Sequence, residues 1–237
     1  MHDEPPMARI GAMISAPARA IMLTELFDGR ALTMTELAGV AGVSASTASE
    51  HLAQLLEGGF VTREKSGRHN YYRLASPQIA HALEQLVAQT AHVNLADRPG
   101  KRPRTPIQQA RMCYDHIAGH LGVAIADALV SNGALIPLDN DYELTPQGEA
   151  LLGSFGADIP TLRHSKRLFA RQCLDWSERR HHVAGVVGAT IADLAFANGW
   201  IERARERRVL HVTPKGQSAL KKHLGLNIKS SGDLLHP

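Results

Sequence analysis

Two short stretches carry the residue types from which site chemistry is made. "RMCYDHIAGH" (Arg111–His120) and "RQCLDWSERRHH" (Arg171–His182) each hold one of the chain's two cysteines beside histidines. On a helix, Cys113, His116 and His120 fall at i, i+3 and i+7, which is one face, and Cys173 precedes His181 and His182 by about two turns. Thiolate and imidazole together are ligands for zinc or a softer ion. Two thiols are alternatively a redox pair or nucleophiles toward an electrophile, and a helical cysteine is equally a small buried hydrophobe. Trp176 with Arg179 or Arg180 suits an anionic or aromatic effector, and the same arginines equally suit a basic face. The effector or metal candidates are therefore Cys113, His116, His120, Cys173, Trp176, Arg180 and His182. A transition metal is the one cofactor under consideration. Catalysis needs a nucleophile, a base and an orienting group aimed at one another. "CYDH" sets its residues side by side, so no catalytic residue is assigned and the chain is not read as an enzyme.

A second set of residues suits a polyanion. In "SASTASEHLAQLLEGG" (44–59), Ala48, Leu52 and Leu55 or Leu56 form an apolar stripe, with Ser46, Thr47, Ser49, Glu50 and Gln54 opposite. Ser44 is a good N-cap, and Gly58-Gly59 end the helix. "FVTREKSGRHNYYRL" then reads as two alternating strands turning at Ser66-Gly67. Upstream, residues 8–27 read as two helices broken at Pro17, and "MTELAGVAG" as a short helix capped by Thr33 or Thr35. Helix, tight turn, helix and basic hairpin make a winged helix-turn-helix. Its second helix fits a major groove about 12 Å wide, and its wing meets the neighbouring backbone or minor groove. The DNA-binding candidates are Ser44, Ser46, Thr47, Ser49, His51, Gln54, Arg63, Lys65, Arg68 and His69. The bland alternative is a winged helix used for protein contact only.

"VSASTASEHLAQLLEGGFV" and "GRHNYYRL", with the flanking helices, resemble the ArsR/SmtB family of bacterial transcriptional repressors over residues 8–92. The resemblance implies a homodimer that places two recognition helices in successive major grooves of an inverted repeat. It also implies dimerisation through the first helix and through "PQIAHALEQLVAQTA", whose apolar seam is Ile79, Leu83, Leu86 and Val87. The family's two familiar metal sites are read as absent. Thr33 and Thr35 stand where soft-metal sensors carry Cys-x-Cys, and Ser76, Gln78 and Gln89 fill three of the four zinc-ligand places, with His92 at the fourth. The eleven-residue spacing of His81 and His92 is then coincidental.

Three septets read alike: "LAGVAGV" (37–43), "IAGHLGV" (117–123) and "VAGVVGA" (183–189). The last two continue in parallel, with Asp127 matching Asp193, Asn132-Gly133 matching Asn198-Gly199, and Thr145-Pro146 matching Thr213-Pro214. That agreement indicates an internal duplication. The helices "AIADALV" and "TIADLAFA" are nearly all apolar, so these copies are read as buried winged-helix-like scaffolds with a ligand crevice between them. All three septets are expected to turn one helix closely against the next.

The expected class is α+β, mainly α with small β-wings. The expected domains are 1–94 for DNA binding and dimerisation, a basic linker at 95–106, a duplicated sensor or assembly domain at 107–226, and a flexible tail at 227–237. A net charge of only +3 with a pI near 9.0 reflects local basic runs, which suit one polyanion-facing surface. The acidic, proline-rich "MHDEPP" is unlike a secretory signal, and no apolar run approaches the roughly 20 residues that span a bilayer. With two cysteines, the expected setting is cytoplasmic, with no membrane partner. The expected function is an effector-released repressor that binds double-stranded DNA as a homodimer. The alternative is a metal-binding or thiol-redox sensor in which the winged helix mainly dimerises.

Overall fold

A computed structural model describes residues 6–90, 104–205 and 208–228, with side-chain burial left aside for 88–90. His92 and most of the expected linker and tail lie outside the described residues. The chain divides into two compact units, Met1–Leu83 and Glu84–Pro237.

In the first unit, α1 (Pro6–Ser15) and α2 (Pro17–Glu25) meet at a bend of 84°. Pro17 occupies the first turn of α2, where a missing N–H costs nothing. The helix α3 (Met34–Ala41) starts from a capping box: Thr33 Oγ1 accepts from Glu36 N, and Glu36 Oε2 accepts from Thr33 N. It stops at Gly42, whose φ of 65° is the left-handed cap expected of glycine. Ser44 then caps α4 (Ala45–Glu57), which buries Ala48, Leu52 and Leu55. A two-residue strand, β1 (Leu32–Thr33), joins β3 (His69–Leu74), which pairs with β2 (Val61–Ser66) from Val61↔Leu74 out to Ser66↔His69. This is the expected winged helix-turn-helix. The helix α5 (Pro77–Thr90) follows, and the boundary between the two units falls within it.

The second unit is built twice from one plan. After a turn of helix, α6 (Pro106–Gln109), come β4 (Arg111–Cys113), β5 (His116–Ala118), α7 (Gly119–Ser131), β6 (Leu135–Leu138), β7 (Asp141–Leu144) and α8 (Pro146–Ser154). A short α9 (Ile159–Arg163) leads to β8 (Arg171–Leu174), β9 (His181–Ala184), α10 (Gly185–Ala197), β10 (Ile201–Arg203), β11 (Leu210–Val212) and α11 (Pro214–Leu224). The copies agree bond for bond where α8 and α11 begin. Thr145 Oγ1 donates to Gly133 O at 2.7 Å and accepts from Gly148 N at 3.1 Å. Thr213 Oγ1 donates to Gly199 O at 2.7 Å and accepts from Gly216 N at 3.0 Å. The copies also exchange strands. The wing of the first meets the arm of the second at Asp141↔Arg171, and the wing of the second meets the arm of the first at Arg111↔Val209. These are equivalent positions, so a pseudo-twofold relates the two halves. Their common core includes Leu121, Leu135, Leu152, Val187, Leu210 and Val212.

Three expectations change here. The stretch Arg111–His120, read as one helical face, is a β-hairpin followed by the first turn of α7, and Cys173 also lies on a strand. Arg111, Met112 and Cys113 are all buried, so the strand lacks the alternation that distinguishes it from a buried helix. Each repeat accordingly has a hairpin, not a second helix, ahead of its long helix. The septets are also not equivalent. Gly119 and Gly185 begin helices at φ of 77° and 74°, and a Cβ on Gly122 or Gly188 would lie 2.4 Å from Ile117 O or 2.2 Å from Val183 O. In the first septet Gly39 has nothing within 4 Å, and Gly42 ends a helix. Finally, the apolar cavity between the repeats, near Leu121, Ile191 and Trp200, has a volume of only about 30 Å³. That is too small for an organic ligand, given typical sites of about 300 Å³ or more. No single helix among the described residues is long and apolar enough to cross a membrane.

Candidate functional site

The polar end of α4 stands on the buried row Ala48, Leu52 and Leu55. Ser44 Oγ accepts from Thr47 N at 3.2 Å and lies 2.9 Å from both Ser46 Oγ and Thr47 Oγ1. Three hydroxyls are thereby gathered at the N-terminus of the helix, where backbone N–H groups favour an anion. Ser44, Ser46 and Ser49 are exposed, and Thr47 is half-buried. On the wing, Arg63, Lys65, Arg68 and His69 are exposed, and none of the three cations is ion-paired among the described residues. The Arg73–Glu64 pair bridges β3 and β2 and leaves those cations available. His51 and Gln54 differ from the others. Arg19 donates to both, and it also donates to Met13 O at 2.8 Å and Ala12 O at 2.6 Å. These two side chains tie α4 to α1 and α2, a use that sequence patterning does not separate from an outward face.

In the second unit, β4, β5, β8 and β9 place four ligand types together. The ligand atoms of Cys113, His116, Cys173 and His182 all lie within 4.8 Å of one another, and all four residues are buried. The two Sγ atoms are 3.9 Å apart and the two Nε2 atoms 3.1 Å apart. The pairs are related by the duplication, Cys113 with Cys173 and His116 with His182. Small residues make room for them: the cysteines share a cluster with Ala118 and Ala184. The carboxylates two residues after each cysteine back the histidines. Asp115 Oδ1 is 3.1 Å from His116 Nδ1, and Asp175 Oδ2 is 3.6 Å from His182 Nδ1.

These carboxylates are anchored unequally. Asp175 is fully buried, pairs with buried Arg111 at 2.7 Å, and accepts from Gly119 N at 2.7 Å at the start of α7. It also accepts from Ser177 N, Ser177 Oγ and Glu178 N. Burial raises its carboxyl, but Arg111, His182 and these donors outweigh that and hold it well below the ordinary range. Asp115 is paired with Arg167 near the surface. Burial opposes its ionisation as well, and His116 and Arg167 still hold it below the usual value.

The imidazoles are driven apart. Burial lowers His116, yet the Cys113 sulfur and the Asp115 carboxylate raise it to about 10. Burial and then the charge of His116 push His182 well below the usual imidazole value. One proton is shared between the two Nε2 atoms 3.1 Å apart, while His182 Nδ1 is buried without a hydrogen-bond partner among the described residues. Burial, Cys173 and Glu84 together push the Cys113 thiol well above the free value.

The remaining candidates lie outside the cluster. His120 is 3.0 Å from Glu178, Arg180 pairs with Asp127 at 2.6 Å, and Trp176 lies under Arg111 at 4.6 Å. Sequence reasoning missed Glu84 and Gln85 of α5, which touch the sulfurs of Cys113 and Cys173 respectively. It also missed the carboxylates Asp115 and Asp175. The signal for them was the repeated Arg-x-Cys-x-Asp at 111–115 and 171–175, masked by six additional residues before His182.

Fold and sites together define a winged helix-turn-helix DNA-binding protein with a duplicated second unit. A family model described as "Bacterial regulatory protein, arsR family" matches residues 16–63. The uncharacterized HTH-type transcriptional regulator YdfF of Bacillus subtilis is 38% identical over 94% of this chain and 99% of its own length. The chain belongs to the ArsR family of bacterial regulators and is a helix-turn-helix transcriptional regulator. It is also 36% identical to the regulator CmtR of Mycobacterium bovis, over 35% of this chain and 70% of that one. The homodimeric winged helix-turn-helix domain Mb0332 of Mycobacterium bovis aligns at 27% identity over 41% of this chain and 99% of that chain, with a TM-score of 0.34.

Proposed function

We propose that this regulator is a homodimeric repressor that holds an inverted-repeat operator and releases it when the second unit receives its effector, in the cytoplasm and without catalysing a reaction. The carrying observation is the polar end of α4 together with a wing whose Arg63, Lys65 and Arg68 are exposed and carry no ion pair among the described residues. Ser44, Ser46, Thr47 and Ser49 approach base edges and phosphates, and Arg63, Lys65, Arg68 and His69 grip the flanking backbone. His51 and Gln54 act with Arg19 to set the pitch of α4. Two copies put these helices about 34 Å apart, one turn of B-DNA. Dimerisation through α1 is supported by that helix burying none of its own residues, with Met7 76% and Ile10 43% exposed.

The test is a gel shift of the full chain on its own upstream region at graded salt. Wild type is expected to bind with an affinity that falls steeply as salt rises, because phosphate contacts release counterions. Ser46→Ala with Arg68→Ala is expected to weaken binding about tenfold or more, for one lost base or phosphate contact is worth about 1–3 kcal/mol. Equal binding by wild type and variant, or binding by neither, overturns the operator assignment and favours a winged helix that only dimerises.

A further inference from the structure

We propose that Cys113, His116, Cys173 and His182 bind a single thiophilic divalent cation of the zinc(II) class, and that α5 reads its occupancy through Glu84 and Gln85. The proposal deepens the reading of the second unit as the sensor and rests on it for its regulatory half.

The geometry fits such an ion. Zinc lies about 2.3 Å from thiolate sulfur and about 2.0–2.1 Å from imidazole nitrogen, so tetrahedral angles require about 3.8 Å between sulfurs and about 3.3 Å between nitrogens. The protein holds them at 3.9 Å and 3.1 Å. Two sulfurs and two imidazoles select zinc or cadmium over magnesium, calcium or manganese, which prefer oxygen. Both histidines offer Nε2 to the site; His116 Nδ1 is held at 3.1 Å by Asp115, the contact that orients a metal-bound imidazole, and His182 Nδ1 faces Asp175 at 3.6 Å, short of a hydrogen bond. Four protein ligands close the coordination sphere, as in sites that report or stabilise. Cation entry displaces both thiol protons and the proton held between the Nε2 atoms. The filled site, one dication with two thiolates and two neutral imidazoles, carries no net charge, which suits its burial.

The output follows from what touches the sulfurs. The Glu84 carboxylate meets Cys113 Sγ, and Gln85 Nε2 lies 3.7 Å from Cys173 Sγ. Glu84 is buried and also pairs with Arg208 at 2.8 Å. When the thiol becomes a metal-bound thiolate, Glu84 loses an S–H donor and faces negative sulfur, whereas Gln85 still presents a donor. Consecutive residues of one helix therefore feel opposite forces on metal entry, and α5 shifts.

Reduced, chelator-treated full-length protein is titrated with cobalt(II), then zinc(II), with magnesium(II) as control. One cobalt per chain is expected, with tetrahedral d–d bands and a thiolate-to-cobalt charge-transfer band, both bleached by one equivalent of zinc and untouched by magnesium. Cys173→Ser and His182→Gln should each lose the one-to-one tetrahedral spectrum. Asp115→Asn, outside the coordination shell, should keep the spectrum and weaken affinity about 10–100-fold, which serves if the ligand variants do not fold. An octahedral spectrum, no charge-transfer band, or cobalt binding unchanged in Cys113→Ser with Cys173→Ser overturns the site. So does a Cys113–Cys173 disulfide forming in air in place of any metal complex. Gel shifts on the same preparations separate the two readings. Metal binding without operator binding overturns the repressor reading and leaves the site standing, and operator binding without metal binding does the reverse. With both present, an operator affinity indifferent to zinc overturns the role given to α5.

Discussion

Helices α4 and α10 are each 13 residues long and each precede a β-hairpin, yet they do opposite things. The first buries three side chains and leaves its hydroxyls exposed, while the second buries Val186, Val187, Gly188, Ala192 and Ala195 and carries one exposed acid, Asp193. The helix–hairpin–helix order is thus one frame used for two purposes. In the first unit the helix stands at the surface and offers polar atoms to a partner. In the second, two helices and two hairpins close on each other, and the paired cysteines and histidines of the two copies meet. The septets make the same point at smaller scale. The glycines of 117–123 and 183–189 exist because backbone carbonyls occupy the space of a Cβ, whereas Gly39 has open space around it.

The buried half of this contrast is the easiest to break. Replacing Arg111 by Met leaves the buried Asp175 carboxylate charged without its guanidinium partner, held only by the Gly119, Ser177 and Glu178 donors, a loss of about 3 kcal/mol. Replacing Arg167 by Met removes the equivalent support from Asp115, but Arg167 is 43% exposed, so the loss stays below about 1 kcal/mol. Urea unfolding followed by circular dichroism measures both. Equal losses would mean that the two repeats are anchored alike and that the asymmetry between Asp175 and Asp115 has no energetic weight.

A glycine pair probes the septets with smaller changes of opposite sign. Gly188→Ala puts a methyl 2.2 Å from Val183 O and 3.2 Å from His116 Cβ, which costs about 1–3 kcal/mol of overpacking. Gly39→Ala adds a methyl with nothing within 4 Å in the interior of α3, and a gain of about 0.5–1 kcal/mol is expected. A loss at both positions would restore the view that all three septets share one packing device.

The winged helix is legible from sequence because its signals are local. The Thr33–Glu36 box, the Ser44 cap, the Pro17 break and the alternation of the wing each act within a few residues. The duplicated unit is legible as a duplication but not as an architecture. Its defining contacts join residues 60 or more positions apart, such as Cys113 with Cys173 and His116 with His182. Periodicity also fails on β4, where a strand buried on both faces has no polar side to betray it. Four of the seven effector candidates come together. The other three, His120, Trp176 and Arg180, are drawn off by Glu178, Arg111 and Asp127, partners that no spacing rule indicates.

The smallest expected effect concerns the rim of the second unit, at Glu178. Burial alone would raise this carboxyl, but the hydrogen bond with His120 and those from Arg104 at 2.8 and 3.1 Å outweigh it and hold it at about 2, against an ordinary value of 4.5. The unfolded chain therefore takes up the proton first as pH falls. The contribution is complete above pH 4.5 and is lost between 4.5 and about 2. Both tryptophans, Trp176 and Trp200, belong to the second unit, so fluorescence-detected urea unfolding reports on that unit alone. Wild type should lose stability across this window more steeply than Glu178→Gln, and the two should differ by a constant amount at higher pH. Parallel curves throughout would show that the Arg104–Glu178–His120 group dissolves into solvent. The acid response of the second unit would then rest on the carboxylates behind its histidines.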